Sequence, residues 1–339
     1  MVKPGIEPPK APIGFLSSLW KGVETVNSHL WLLAIPVLLD AFLWFGPHLT
    51  IADLSTPVLR MMESTIATAQ ADPTLIAQIR DFLLNLNLFS FLSFLPLFPP
   101  SIMAARVPVQ TPLGQPILLS INNPFLAVVL MAGLVLGSIG IGSLYLVMAG
   151  KATGGGGWSA QSTASRWIRT VIVMLTLLIV FGVLLISAFL FGMMVFSLVG
   201  ILWLSGAVLI MRLLVFAVGG LFLWLVIFLI FSPHGTVLYA DGILRAMWNS
   251  METARWIYPM SMWIPILILI LNMFVTSVWT LTADNDWAGI LSVLGNAYTS
   301  SVLVTASLVY YRDKRRWIEE VRALIQSQRA ASVPPIATS

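Results

Sequence analysis

No charged residue occurs between Arg169 and Arg212, and none from Leu213 to Ser232. Each run is long enough for a membrane span, which needs roughly 20 apolar residues. Ser197, Gly200, Ser205 and Gly206 predict a turn between the two. The stretch Arg166 to Ser232 therefore reads as a hairpin of two membrane helices. Inside a bilayer only helices and closed barrels satisfy every backbone polar group. Barrel strands alternate polar and apolar residues, whereas these runs are continuous. The whole chain of 339 residues is 58% hydrophobic and 9% charged, against about 25% charged in soluble domains. Water is not the main solvent for such a fold. The absence of cysteine excludes disulfides and thiolate metal sites.

The pattern predicts an all-α integral membrane protein, a six-span helical bundle with two interfacial amphipathic helices and a long extracytoplasmic loop. Residues 1–12, with four prolines, read as a flexible cytoplasmic tail rather than a cleaved signal peptide. Residues 13–318 read as one transmembrane domain, with spans near 29–47, 124–150, 167–196, 204–232, 260–281 and 287–311. Residues 319–339 read as a second cytoplasmic tail. Under this arrangement 14 of the 18 Lys and Arg residues lie on one side, with both termini, so the positive-inside rule orients the bundle in the cell membrane. The connection from Leu49 to Pro116 then lies outside. Within it, Phe82 to Phe98 is apolar but short, and is followed by a run of prolines. Making it a span would carry Lys151, Arg166 and Arg169 to the outer side, so a re-entrant or interfacial segment is expected.

Apolar residues at helical spacing from Phe15 to Val26 predict the first interfacial helix, and Ile243 to Ala254 the second. The two share a pattern. Trp20, Glu24 and Thr25 match Trp248, Glu252 and Thr253 at one constant offset, and each copy leads into a span carrying Ile-Pro, at Ile35-Pro36 and Ile264-Pro265. The unit would be a surface helix, an elbow and a span, with Trp at the interface and Glu in water. Chance is the rival explanation for so short a match. In the second span, Gly133 and Gly137 stand four apart, a spacing that lets another helix approach closely. Glycine is also simply common in membrane helices.

The second copy carries a resemblance. Phe231-Ser232-Pro233, Val237, Asp241-Gly242, Ala246, Ser250 and Arg255-Trp256 resemble a pattern of uncharacterised bacterial polytopic membrane proteins. Among them is the membrane domain attached to some glycerophosphodiester phosphodiesterases. The resemblance covers about thirty residues. It implies a helical membrane module and no activity, since the carboxylate- and histidine-rich barrel of such an enzyme is not in this sequence.

Two charges are placed at membrane depth, Asp40 and Arg212. Intramembrane ionisable residues are a functional hypothesis by default, and these two form a candidate polar pair. The alternatives are a packing ion pair, or Arg212 reaching the outer interface. His29 and His234 fall near span ends on the same side, but a metal would need further ligands. The sequence contains no phosphate loop, HExxH motif or nucleophile elbow, and no cofactor or metal is expected. The basic cluster from Arg312 to Arg316 reads as a stop-transfer signal contacting anionic lipid rather than nucleic acid. These features predict a non-enzymatic scaffold or accessory subunit. Its partners would be membrane lipids, a partner membrane protein or further copies of itself. The alternative is a transporter or permease subunit with a polar site around Asp40 and Arg212.

Overall fold

The computed structural model describes residues 11–69, 73–93, 101–106, 110–154, 158–201, 207–256, 260–281 and 286–332. Nearly all of them are helical. Helix α1 (Phe15–Ser28) ends at His29, whose backbone leaves the helical region, and a 3-10 turn (Leu30–Leu33) leads into α2 (Ala34–Phe45). The axis bends by 93° between Phe15–Ser28 and Leu30–Phe45. Pro36 falls in the first turn of α2, where a missing backbone N–H costs nothing. Strand β1 (His48–Thr50) follows, then α3 (Ala52–Ala69), α4 (Pro73–Asn85), a second 3-10 turn (Leu88–Ser93), α5 (Ile102–Arg106) and strand β2 (Leu118–Ser120). The remaining helices are α6 (Pro124–Ala152), α7 (Ala160–Ile201), α8 (Ala207–Leu229), α9 (Ser232–Tyr239), α10 (Ile243–Trp256), α11 (Met260–Trp279) and α12 (Gly289–Ser332).

Four described helices are long and apolar enough to cross a membrane, or five if the bent pair is one span. The all-helical membrane class expected from composition stands on these helices. Two helices run beyond the expected spans. The third span belongs to a helix of 42 residues, about 63 Å long at 1.5 Å per residue. It runs through Ser197 and Gly200, which therefore do not form the turn; residues 202–206, with Ser205, lie outside the described residues. Helix α12 has 44 residues and starts at Gly289. It passes straight through the basic cluster, so residues 319–332 of the expected tail are helical, while 333–339 lie outside the described residues. The first 10 residues of the expected amino-terminal tail lie outside them too. No single helix covers Phe82 to Phe98: α4 ends at Asn85, the 3-10 turn runs from Leu88 to Ser93, and 94–98 lie outside the described residues.

Contacts divide the chain into two compact units. One comprises Gly22–Ala152 and Ile268–Ala306. In it β1 and β2 pair in parallel, His48 opposite Leu118 and Thr50 opposite Ser120. The Asn87 side chain accepts from the backbone N–H groups of Leu49 (3.0 Å) and Phe89 (3.1 Å), tying the second 3-10 turn to this ribbon. Leu49, Leu88 and Ile121 form one small core, with Ala127, Leu130 and Leu134 of α6 against it. Leu43, Trp44, Ile102, Met103 and Val293 form another. Close approach is built on small residues, as membrane helix packing requires. A Cβ on Gly22 would lie 2.7 Å from the Val302 carbonyl and 3.0 Å from the Ala306 methyl. One on Gly289 would lie 2.7 Å from the Trp44 ring. Gly133 is different: no described atom lies within 4 Å of where its Cβ would be, and Gly137 meets only Leu92, at 3.5 Å.

The other unit comprises Met1–Lys21, Thr153–Leu267 and Ser307–Ser339. Helices α7 and α8 pair as an antiparallel hairpin, with Phe181 edge-on to Phe222 at 5.5 Å. Their outer faces are apolar and exposed, at Ile179, Val183, Ile186, Leu213 and Phe216 among others. In water such a surface would aggregate, whereas in lipid it is solvated.

Candidate functional site

Two described carboxylates are buried, Asp40 in one unit and Asp241 in the other. In the unit containing α2, Asp40 is fully buried. Its Oδ1 accepts from the Ser101 hydroxyl and from the Met103 backbone N–H at 3.1 Å. Ser101 is itself the cap of α5, its hydroxyl accepting from Ala104 N–H at 3.0 Å, and its own N–H donates to the Ser93 hydroxyl at 2.8 Å. A carboxylate here complements the unsatisfied N–H groups and the positive end of a helix. Asp40 thus fastens the segment after the second 3-10 turn onto α2. Its Oδ2 has no partner among the described residues. Beside this chain of contacts is a recess of about 20 Å³, lined by Pro36, Leu39, Leu92, Ser93, Ser138 and Tyr145 among others. It has room for about one water. Ser138 contributes a hydroxyl with no partner among the described residues, while Tyr145 donates to Ser301 at 2.8 Å.

Arg212, the other half of the expected pair, lies on α8, and its side chain is outside the described residues.

In the other unit the site is one that sequence reasoning missed. Asp241 and Arg315 form a buried ion pair, 4% and 11% exposed at their side chains. Arg315 Nη1 donates to Asp241 Oδ2, and Nη2 to Oδ1 at 3.4 Å. The same carboxylate accepts from Asn249 at 3.0 Å and has Arg245 3.7 Å away. The Arg315 guanidinium stacks on the Tyr239 ring at 3.9 Å and reaches Glu319 at 3.2 Å. The local fold explains why Asp241 sits there. Helix α9 ends in a left-handed Ala240 (φ 54°), and its last carbonyls are covered by two arginines of α7. Arg166 donates to Val237 O at 2.5 Å, and Arg169 to Ala240 O. Cations at a helix carboxyl end are favourable. Gly235 leaves space for the pair: a Cβ there would lie 3.2 Å from Asp241 Oδ2 and 3.3 Å from the Tyr311 hydroxyl. The signals were present as Asp241-Gly242 and the basic cluster, but a basic run after a span reads first as solvated stop-transfer charge.

The predicted interfacial residues are distributed as follows. Trp20 and Trp248 are 66% and 63% exposed. Glu24 is exposed, whereas Glu252 is ion-paired with Arg322 of α12. His29 and His234 have separate partners, the Thr25 carbonyl at 3.0 Å and the Ser307 hydroxyl at 2.9 Å. Among the described residues no three His, Asp or Glu side chains converge as metal ligands. Of the residues carrying the resemblance, Phe231, Ser232, Pro233, Val237, Asp241, Ala246 and Ser250 are buried, and Gly242, Arg255 and Trp256 are exposed. No family model, curated protein or solved structure matches the chain.

Proposed function

We propose that the protein is a non-enzymatic integral membrane scaffold or accessory subunit whose ligands are bilayer lipids or a partner membrane protein. The observation that carries this reading is the use of the two buried carboxylates. Asp40 caps α5 and Asp241 is held by Arg315 and Asn249, while the long helices turn apolar side chains outward. Buried charge here serves to fix the fold, and the surface left for recognition is greasy. Six crossings of the cell membrane, both termini on the basic side and a re-entrant or interfacial segment at Phe82 to Phe98 belong to the same proposal. So does the helical-module role implied by the resemblance.

The transporter reading retains one favourable feature, an Asp40 Oδ2 without a partner among the described residues, on the helix whose Pro36 and Leu39 line a recess with Ser93 and Ser138. The two readings separate in proteoliposomes and nanodiscs. The scaffold reading expects native mass spectrometry of the protein, extracted with its own membrane, to retain bound lipid or a stoichiometric membrane partner. It also expects no ion or solute flux that depends on Asp40. Flux abolished by Asp40→Asn in a protein of unchanged stability would establish transport instead.

A further inference from the structure

Helices α1 and α10 share a burial pattern at most corresponding positions, beyond the few identities that link their sequences. At one constant offset, each divides into the same three faces. The packed face is Ser18, Gly22 and Val26 in α1 and Ala246, Ser250 and Ala254 in α10, all buried. Small residues at these positions bring each helix against its neighbour's backbone. The Gly22 carbonyl accepts from the Thr305 hydroxyl at 3.4 Å, and the Ser250 hydroxyl donates to the Phe228 carbonyl at 2.6 Å. A second face is apolar and points away from the chain. Leu16 and Trp20 are 78% and 66% exposed, and Leu244 and Trp248 are 82% and 63% exposed. Val23 and Met251, half-buried, continue the two stripes. The third face is polar: Ser17, Lys21, Glu24 and Ser28 in α1, and Arg245, Asn249 and Glu252 in α10, where Trp256 takes the place of Ser28 and Glu252 pairs with Arg322.

A helix packed along one side, with an apolar stripe on the second and a polar stripe on the third, suits a boundary between oil and water. The 93° bend after α1 supplies the remaining geometry, because it lays the helix perpendicular to the apolar segment that follows. Arg255 ends the α10 stripe at an exposed position, where a long basic side chain reaches a phosphate while its stem stays in oil.

We propose that α1 and α10 are two copies of one lipid-facing ledge, each seating a Leu and a Trp in the bilayer leaflet on the basic side of the protein. The occupant is the glycerol and upper acyl region of that leaflet's phospholipids, the depth at which such helices lie. This rests on the lipid-embedded reading above and says where and how lipid is held. A protein partner covering the same stripes is the alternative outcome.

The cysteine-free chain makes the test direct. Single cysteines at Leu16→Cys, Trp20→Cys, Leu244→Cys and Trp248→Cys carry a small fluorophore in the full-length protein. Each is reconstituted in phosphatidylcholine–phosphatidylglycerol vesicles. Ser17→Cys and Glu24→Cys report the polar face of α1, and Ile179→Cys, on the exposed face of α7, reports the bilayer interior. Quenchers are a nitroxide near the lipid glycerol, a nitroxide near the acyl terminus, and iodide in water. The four stripe positions are expected to lose about half their emission to the shallow nitroxide and little to iodide, with the reverse at Ser17→Cys and Glu24→Cys. Stripe positions quenched by iodide alone, or shielded from both quenchers, would overturn the ledge even if Ile179→Cys is quenched by the deep nitroxide. Quenching on one helix only would overturn the equivalence. An Ile179→Cys probe untouched by either nitroxide would overturn the lipid-embedded reading itself.

Discussion

Replacing Arg315 by methionine is the sharpest test of the buried ion pair. The substitution keeps most of the side-chain volume but leaves Asp241, 4% exposed at its side chain, without its main partner. Removing one member of a buried pair costs about 3–5 kcal/mol, because the remaining charge is uncompensated. Asn249 stays at 3.0 Å and Arg245 at 3.7 Å from the carboxylate, which places Arg315→Met at the lower end, about 3 kcal/mol. At about 3 °C per kcal/mol for a unit of this size, the melting temperature should fall by roughly 10 °C. Neutralising the partner as well, in Asp241→Asn/Arg315→Met, removes the stranded charge. The double variant should therefore be no less stable than Arg315→Met alone, with a coupling of about 2 kcal/mol. The assay is thermal unfolding followed by size-exclusion chromatography in one detergent at one pH. Equal melting temperatures for Arg315→Met and the parent would refute the reasoning. So would strictly additive losses in the double variant.

Other expectations follow from the same contacts. Asp40→Ala should lower stability by about 1 kcal/mol through loss of the α5 cap, read in the same thermal assay. Asp40→Asn and Arg212→Gln should add to within about 0.5 kcal/mol, since Asp40 is held by Ser101 and Met103; a larger coupling would restore the intramembrane pair. Gly22→Val should destabilise by about 1–3 kcal/mol through overpacking, because even a Cβ would lie 2.7 Å from the Val302 carbonyl; an unchanged melting temperature would mean α1 does not pack there. Burial holds the His48 imidazole below its ordinary titration range, opposed in part by a hydrogen bond from its ring to the Leu43 backbone. A depressed histidine contributes stability that is full above its unfolded value near 6.5 and is lost as the pH falls below it. The melting temperature should therefore drop between neutral and mildly acidic pH, and His48→Gln should flatten that slope.

The membrane class and the helices α1 and α10 were legible because they depend on composition and on spacing within one helix. Trp20 and Trp248 on those helices are exposed. What could not be read is which side of an apolar helix packs. Helix α6 is apolar all round, yet its half nearer Lys151 is buried at Ser138, Gly142 and Leu146, while Phe125 and Val128 in the other half are exposed. Lipid and protein interior are equally apolar, so hydrophobic periodicity does not distinguish them. Small residues decide the packing instead, and Gly22 is used while Gly133 has no described neighbour. A basic cluster marks where a span leaves the apolar region but not where its helix stops: Arg, Lys and Glu are good helix formers, and α12 continues through Arg312 to Arg316 and on to Ser332. The Asp241–Arg315 pair joins residues far apart in sequence, and neither residue's local surroundings mark it as buried.

The account depends most on the helices crossing the bilayer with their basic ends on one face. Single cysteines at Arg245→Cys, Arg316→Cys and Leu113→Cys, all at exposed positions, can be labelled in intact cells with a membrane-impermeant maleimide. The expected result is labelling of Leu113→Cys in intact cells, and of Arg245→Cys and Arg316→Cys only after permeabilisation. Labelling of Arg245→Cys and Arg316→Cys from opposite faces would contradict the arrangement, and with it the ledges and the scaffold.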